Sequence, residues 1–279
     1  MSAKPLIFLH LPKTAGTTLR AVFAGRYPAK RTWLIGQDIN ADIENFVALD
    51  ETQRHRIRLL MGHMSFGLHR YMAPGAVYFT LLREPVSRVW SEYRFLKRNT
   101  QHPFHAAIAP MSLEEYLESD YTGQTSNGQT RLLCGNHEPG RPGIAGRDDL
   151  DESHLNIALE NIGKHFLLAG TQDHLEECLL LLARDLGWLL PPFHIKRNVS
   201  TVGGEKPTAE QVQMISVRNE LDARLFFHVS QAIDSRISNE AKYLSVARRR
   251  FEKWNPVYQR NHARVIQYRN RIVRRFSPG

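Results

Sequence analysis

The chain has 279 residues, of which 42% are hydrophobic and 23% are charged, and this composition excludes a disordered chain. Its two cysteines, Cys134 and Cys178, exclude a dense disulfide framework and favour a reducing compartment. The apolar run near the start is too short for a signal peptide, and no run is long enough for a membrane span. We therefore expect a soluble, cytoplasmic protein.

The formal charge of +9 is concentrated near the C-terminus. Residues 248–279 contain ten Lys or Arg and one acid, so residues 1–247 are neutral overall. A charge confined to one segment says little about the partner of the remaining chain, and we expect no nucleic-acid partner. We predict a domain over 1–247 and a basic amphipathic helical tail over 248–279.

The predicted elements of the first half alternate between strands and helices. The run PLIFLH at 5–10 is continuously apolar, as in a buried parallel strand, and apolar residues recur at helical spacing over 17–26. Further apolar runs near 57–61 and at 76–82 predict two more strands. Pro85 suits the first turn of a helix that follows the last of these.

The second half continues the alternation. The Gly-rich and Pro-rich text at 123–149 predicts a short helix followed by a surface loop. A helix near 153–163, a strand at 165–170 and a helix over 172–186 come next, and helical pattern dominates from 208 to the end. This order predicts an α/β fold, with a mostly parallel sheet flanked by helices and a helical C-terminal extension.

The predicted loop between the first strand and the first helix reads LPKTAGTTL and suits an anion. Backbone N–H groups and the helix dipole favour negative charge at a helix N-terminus. Lys13 adds a charge, Gly16 permits close approach, and Thr14, Thr17 and Thr18 add hydroxyls. The pattern differs from the triphosphate loop G-x-x-x-x-G-K-[ST], because here the lysine precedes the glycine. The alternative is an ordinary polar turn that caps a core helix.

The residues LPKTAGTTL resemble the phosphosulfate-binding loop of sulfotransferases that use 3′-phosphoadenosine 5′-phosphosulfate (PAPS). The closest likeness is to the branch of the heparan sulfate 2-O-sulfotransferases and their bacterial relatives. The resemblance implies a P-loop NTPase-like sulfotransferase fold and a site that needs no metal. It also implies a PAPS donor held by Lys13, Thr14, Ala15, Gly16, Thr17 and Thr18, with Lys13 assisting departure of the bridging oxygen.

A second motif, LLREPVSRVWSEYRF, lies at the next strand-to-helix junction. In the family that the loop resembles, a strand-ending arginine and a serine eight residues later bind the donor's 3′-phosphate, which corresponds to Arg83 and Ser91. The planar guanidinium of Arg83 suits a phosphate. The alternative is an ion pair of Arg83 with Glu84 or Glu92, and we expect Arg88 to pair with one of these two acids.

One of the 13 histidines, His63, stands at the end of a predicted strand in GHMSFG. This stretch resembles the heparan sulfate 2-O-sulfotransferases, in which the histidine at this place is the catalytic base. The resemblance implies that His63 removes the hydroxyl proton of the acceptor. The alternative is a buried histidine satisfied by a backbone carbonyl, a role that we assign rather to His10.

Two further stretches resemble bacterial relatives of this family. SNGQTRLLCG at 126–135 makes Asn127, Gln129 and Arg131 candidates for contacts with an acidic sugar, or alternatively for packing. HIKRNVS at 194–200 contains Lys196 and Arg197, which are candidate nucleotide contacts.

The basic tail interleaves its charges with apolar residues, including Tyr268, Ile272 and Phe276 at helical spacing. Such a helix suits an anionic membrane surface or an acidic glycan, or packs one apolar edge on the domain. Peripheral attachment to a membrane is therefore one expectation for this protein.

The hypothesis that unites these motifs is a PAPS-dependent sulfotransferase acting on a hydroxyl of a carbohydrate or glycolipid. The alternatives are a P-loop-type nucleotide-dependent kinase and a non-catalytic polyanion-binding protein. Neither the acceptor nor the oligomeric state follows from the sequence.

Overall fold

A computed structural model describes residues 4–36, 38–119, 121–135, 150–193 and 206–276, with side chains described as far as residue 261. Its centre is a parallel sheet with the strand order β2-β3-β1-β4-β5. The strands are β1 Leu6–Leu9, β2 Thr32–Ile35, β3 Leu59–Gly62, β4 Val77–Leu82 and β5 Phe166–Thr171. Lys196 and Arg197 lie outside the described residues, as does most of the loop predicted within 123–149.

Four of these strands coincide with predicted apolar runs, and β2 was not predicted. The strand β2 lies at the sheet edge, where it pairs with β3 alone in the part of the chain described. Leu34 at its centre is 47% exposed. The β2 sequence TWLI contains a run of only three apolar residues, shorter than the run of about four to eight that predicts a buried strand.

Helices occupy most of the remaining described chain. They are α1 Gly16–Ala24, α2 Ile39–Ala48, α3 Glu51–Arg56, α4 Pro85–Arg98, α5 His105–Ile108, α6 Leu113–Glu118, α7 Gly128–Cys134, α8 Glu152–His165, α9 Leu175–Asp185, α10 Ala209–Arg218, α11 Glu220–Asn239 and α12 Ala241–Phe276. The helix predicted over 172–186 begins later, after a 3-10 turn at Gln172–His174. Within the described residues, no helix is long and apolar enough to cross a membrane.

The three central strands, β1, β3 and β4, are buried on both faces, which is why they read as continuous apolar runs. Alternate residues of β1 point to opposite faces: Ile7 joins a cluster with α2, α7, α8 and α11, and Phe8 joins one with α1, α9 and α12. A third cluster packs α4 against α5, α6 and α10. The predicted fold class, a parallel sheet flanked by helices with a helical C-terminal region, is confirmed.

The long helix α12 crosses the predicted boundary between residues 247 and 248. Its first half packs on α9, where the Tyr243 hydroxyl donates to the Leu180 carbonyl over 3.1 Å. Leu244 and Phe251 are both buried in the cluster on that face of the sheet. The predicted tail therefore begins inside a helix that is already docked, and its proposed contact with a membrane or glycan stays a prediction.

Candidate active site

The predicted site residues follow the carboxyl ends of three neighbouring strands. Lys13 follows β1, His63 follows β3 and Arg83 follows β4. β1 lies between β3 and β4 in the sheet. From the carboxyl ends of the strands, the chain leaves β1 towards β2 on one side and leaves β3 towards β4 on the other, and α/β sheets open a crevice for ligands at such a point. The fold thus brings three residues, separated by tens of positions, to one edge.

The loop before α1 has an unusual backbone. Lys13 and Ala15 have φ angles of 69° and 62°, in the left-handed region that few residues other than glycine adopt. The Thr14 hydroxyl donates to the Leu11 carbonyl over 2.8 Å and is fully buried, so it stabilises the loop from within. Thr17 is exposed in the first turn of α1, and the N–H groups of Thr18 and Leu19 donate to the Ala15 carbonyl over 3.0 and 3.2 Å. The loop that precedes this turn offers backbone donors to an anion.

Gly16 is required by a close contact with His10. A Cβ atom at Gly16 would lie 1.9 Å from the His10 ring, a distance that no side chain tolerates. We predicted that this glycine allows a ligand to approach, and the structure adds that it also makes room for a histidine. The loop is therefore packed directly on the ring beside His63.

The two histidines are stacked because of the strand register. Leu9 pairs with Gly62 in the parallel ladder, so the next residues, His10 and His63, lie side by side. Their ring centroids are 4.3 Å apart with an interplanar angle of 26°. Burial, the neighbouring His63 and the charges of Arg20 and Lys13 hold the pKa of His10 well below its ordinary value.

The hydrogen bond of His63 determines its tautomer. Its Nδ1 lies 2.7 Å from the His10 carbonyl oxygen, and a carbonyl only accepts, so Nδ1 carries the proton and Nε2 keeps its lone pair. Burial lowers the pKa of His63 to about 4, against the bond to His10 that raises it. The ring is therefore neutral at pH 7. We predicted a carbonyl bond of this kind for His10, but His63 makes it, and the buried Nδ1 of His10 has no hydrogen-bond partner among the described residues. The bond leaves Nε2 of His63 able to accept a proton.

The Lys13 ammonium lies over the face of Phe95, with 3.9 Å between Nζ and the ring centroid. Burial lowers the pKa of Lys13 to about 8, while the field of Glu92 raises it and those of Arg83 and Arg98 lower it. A lysine with this pKa is charged at pH 7 and gives up its proton more readily than an exposed lysine. That combination suits a group that donates to a leaving oxygen.

The two predicted donor-binding motifs touch each other. The Arg83 Nη1 atom donates to the Lys13 carbonyl oxygen over 3.3 Å, and burial lowers the pKa of Arg83. Ser91 is half-buried on α4, two turns after Arg83. Glu84, one predicted ion-pair partner of Arg83, instead caps α4 by accepting from the Val86 and Ser87 N–H groups over 2.8 and 2.7 Å.

Arg88 is fully buried beneath the site, and its predicted pair with Glu92 is present, with 3.4 Å between Nη1 and Oε2. Arg88 also donates to the Gln124 carbonyl over 2.6 Å and lies 3.8 Å from the Asp222 carboxylate. These contacts account for Arg88 as a structural residue. Burial raises the pKa of Glu92, against the attraction of Arg88 and Lys13.

The residues of the 126–135 stretch pack inside the protein. The Asn127 side chain accepts from the Asp222 N–H over 3.1 Å, and Arg131 is 7% exposed. Gln129 is 1% exposed and bonds to the main chain of Arg83. The packing alternative therefore describes Asn127 and Gln129, and neither is placed as an acceptor contact.

One charged neighbour of the site, Arg20, was not predicted, and Glu92 was predicted only as an ion-pair partner of Arg83 or Arg88. Arg20, on the fourth residue after Gly16, lies close enough to lower the pKa of both His10 and His63. Glu92 follows Ser91 directly and acts on the Lys13 ammonium. The signal for Glu92 was its spacing of four from Arg88, and the signal for Arg20 was its place at the end of the loop motif.

The family comparison decides the class of this protein. Residues 2–267 match the family model described as galactose-3-O-sulfotransferase. The chain belongs to this family. The predicted carbohydrate sulfotransferase branch is confirmed, and the matching family model is named for galactose rather than for heparan sulfate.

Curated relatives agree with this assignment. The chain is 24% identical to galactose-3-O-sulfotransferase 3 of Bos taurus, over 87% of this chain and 62% of the relative. It is 28% identical to uronyl 2-sulfotransferase of Mus musculus, over 62% and 47%, and 24% identical to galactosylceramide sulfotransferase of Bos taurus, over 81% and 56%. The chain thus spans about 60% of the length of the first of these relatives.

Among solved structures, the mouse sulfotransferase SULT7A1 complexed with PAP is similar at 12% identity, with a TM-score of 0.36 over 80% of this chain and 66% of that one.

In the described part of this chain, no group of three His, Cys, Asp or Glu side chains is arranged to hold a metal ion. The predicted metal-free site stays a prediction.

Proposed function

We propose that this protein transfers a sulfuryl group from PAPS to a hydroxyl group of a carbohydrate or glycolipid. The observation that carries the proposal is the contact between Arg83 and the Lys13 carbonyl. This contact supports the proposal, because a loop proposed to bind the 5′-phosphosulfate and an arginine proposed to bind the 3′-phosphate are then close enough for one nucleotide to span both. Membership of the family supports sulfuryl rather than phosphoryl transfer.

The donor is held at two points in this proposal. Backbone N–H groups of the loop from Thr14 to Gly16, with the Lys13 ammonium, bind the 5′-phosphosulfate through the helix dipole and direct charge. The Arg83 guanidinium and the Ser91 hydroxyl bind the 3′-phosphate. ATP carries a hydroxyl and no phosphate at the 3′ position, so this second point favours PAPS over ATP.

His63 is the base in this proposal. Its Nε2 lone pair takes the proton of the acceptor hydroxyl while that oxygen attacks sulfur in line with the leaving bridging oxygen. The bond from the acceptor oxygen to sulfur forms as the bond from sulfur to the bridging oxygen breaks, and the electron pair stays on the 5′-phosphate of PAP. The hydrogen bond from Nδ1 to His10 keeps the ring in the required tautomer.

Lys13 assists the leaving group. Charge develops on the bridging oxygen as sulfur departs, and an ammonium beside it stabilises that charge by a hydrogen bond or by giving up its proton. A pKa of about 8 brings the lysine near neutral pH, where proton donation is efficient.

The acceptor class rests on the relatives, whose names include galactose, uronyl and galactosylceramide. All three are hydroxyl-bearing carbohydrates or a glycolipid. A cytoplasmic location, with peripheral attachment to a membrane as one expectation, stays a prediction.

Two measurements test the function. Calorimetry with PAP should give binding, and labelled PAPS incubated with galactosides, uronic-acid glycans and galactosylceramide should label at least one of them. Absence of both PAP binding and labelled product would contradict the proposal. Hydrolysis of MgATP, or phosphate transfer from it, would favour the kinase alternative. Glycan binding without PAP affinity would favour the polyanion-binding alternative.

A further inference from the structure

Gln129 makes a paired contact with the main chain of Arg83. Its Oε1 accepts from the Arg83 N–H over 3.0 Å, and its Nε2 donates to the Arg83 carbonyl oxygen over 2.9 Å. The side-chain amide therefore satisfies both backbone groups of one residue, as a neighbouring strand would. Gln129 is 1% exposed, so neither bond competes with bulk water.

The contact lies where the sheet ends. The ladder between β4 and β5 runs to Leu82, which pairs with Thr171, and Arg83 is the next residue. The chain then enters α4 at Pro85. The Gln129 amide thus extends the pairing of β4 by one residue, to the residue that carries the guanidinium.

The helix that presents Gln129 is itself tied down. The Asp222 carboxylate, on α11, accepts from the Gln129 and Thr130 N–H groups over 3.0 and 2.7 Å. Asp222 is fully buried, and its own N–H donates to the Asn127 side chain over 3.1 Å. The first turn of α7 is therefore fixed on α11 by bonds in both directions.

From Arg83 the chain of contacts continues to the cradle, because the Arg83 Nη1 atom donates to the Lys13 carbonyl. Lys13 holds a left-handed backbone conformation that needs support from its surroundings. Gln129 acts on one end of Arg83 and Lys13 lies at the other.

We infer that Gln129 is a positioning residue for the donor: it fixes the Arg83 main chain so that the guanidinium reaches both the 3′-phosphate and the Lys13 carbonyl. This inference rests on the proposed function, since it assigns Arg83 to PAPS. Gln129 itself does not contact the nucleotide in this arrangement. Its loss should weaken donor binding and leave the transfer step nearly intact.

The test compares Gln129→Met with Asn161→Leu. Methionine has nearly the volume of glutamine and removes both bonds to Arg83. Asn161 donates from Nδ2 to the Leu133 carbonyl over 2.9 Å, so its variant removes a side-chain amide bond to the same helix, α7, away from Arg83. In Gln129→Met, PAP affinity should fall and the KM for PAPS should rise, each by about tenfold, which is the scale of one to two hydrogen bonds. In Asn161→Leu, both quantities should change by less than about twofold. The kcat at saturating PAPS should stay within about threefold of wild type in both.

A double-mutant cycle asks whether Gln129 acts through Arg83. In an Arg83→Ala background, adding Gln129→Met should lower PAP affinity by less than about twofold, measured by titration with PAP to millimolar concentrations. A full tenfold loss in that background, or an equal loss in Asn161→Leu, would overturn the inference. If methionine prevents folding, Gln129→Ala, which cannot overpack the site, is measured in its place with the same expectation.

The outcomes separate this inference from the proposed function. Wild-type protein that binds no PAP contradicts the function and the inference with it. Wild-type protein that binds PAP, with Gln129→Met binding it equally well, contradicts the inference alone.

Discussion

At the scale of single residues, the chemistry depends on which nitrogen of His63 carries a proton. The His10 carbonyl at 2.7 Å from Nδ1 determines this, and the stacked His10 ring limits the movement of the imidazole. A neutral His63 with its lone pair on Nε2 is ready to accept a proton before any substrate arrives.

Replacing His63 by alanine should lower turnover by about 10²-fold to 10⁴-fold, the range for a lost general base, with PAP affinity retained. His105→Ala is the matched control, because His105 also bonds a main-chain carbonyl through Nδ1, that of Leu96 over 2.8 Å, outside the crevice. Turnover is measured with labelled PAPS and affinity by calorimetry. Unchanged turnover in His63→Ala would remove His63 from the mechanism.

The pH dependence of kcat/KM should form a broad plateau. Transfer needs neutral His63, so activity falls as pH drops through its pKa of about 4, well below the ordinary value near 6.5. Transfer also needs charged Lys13, so activity falls as pH rises through its pKa of about 8. A Lys13→Arg variant should lose the alkaline fall. An acidic limb near pH 6.5 in wild-type protein would contradict the assignment of His63.

At the scale of elements, the junction between β1 and α1 carries both the anion cradle and the packing of His10. The loop is narrow because the His10 ring occupies the space beside Gly16. Predicting the loop from LPKTAGTTL was possible because small and hydroxyl residues are needed wherever backbone donors face an anion.

Gly16→Ala should lower both thermal stability and PAP affinity, since its Cβ would displace the His10 ring that stacks on His63. Gly163→Ala in α8 is the matched control, because a Cβ there meets nothing within 4 Å and alanine should stabilise the helix by about 0.5–1 kcal/mol. Thermal melts and calorimetry with PAP measure the two effects. A Gly16→Ala protein as stable as wild type would show that the His10 ring moves freely.

Some of the other strands and helices could be predicted from their sequence pattern, and others could not. β1, β3 and β4 were predicted because a strand buried on both faces must be apolar throughout. β5 lies at one edge of the sheet and was predicted from its apolar start, FLLA. The strand β2 at the other edge, whose Leu34 is nearly half exposed, and the short helices α2, α3, α5 and α6 were not predicted.

At the scale of the whole molecule, burial lowers the pKa of four histidines among the residues whose side chains are described. They are His10, His63, His69 and His102, and the pKa values of His63 and His69 are lowered to about 4. The unfolded chain therefore binds more protons than the folded one between these values and the ordinary value near 6.5.

The free energy of unfolding should therefore fall as pH drops from about 6.5 towards 4. Glu92, whose pKa is raised, acts in the opposite direction, as one group against the four histidines. Urea unfolding at several pH values measures the slope. The fall in the free energy of unfolding should be smaller in a His69→Ala variant, which leaves the crevice intact. A free energy of unfolding that rises as the pH drops from about 6.5 towards 4 would contradict the burial of these rings.

What the sequence determined by itself is the set of local units: apolar strands, the loop LPKTAGTTL, and the placing of Arg83, Ser91 and His63 at or after strand ends. These follow from burial and from the chemistry of small and charged side chains, both of which act over a few residues. The tertiary structure alone decided which units meet. The register of β1 on β3 placed His10 beside His63, and the order of β1 and β4 placed Arg83 on Lys13. Gln129 reached Arg83 only because Asp222, 93 residues further along, holds its helix, and such contacts depend on sheet order and packing that no local pattern records.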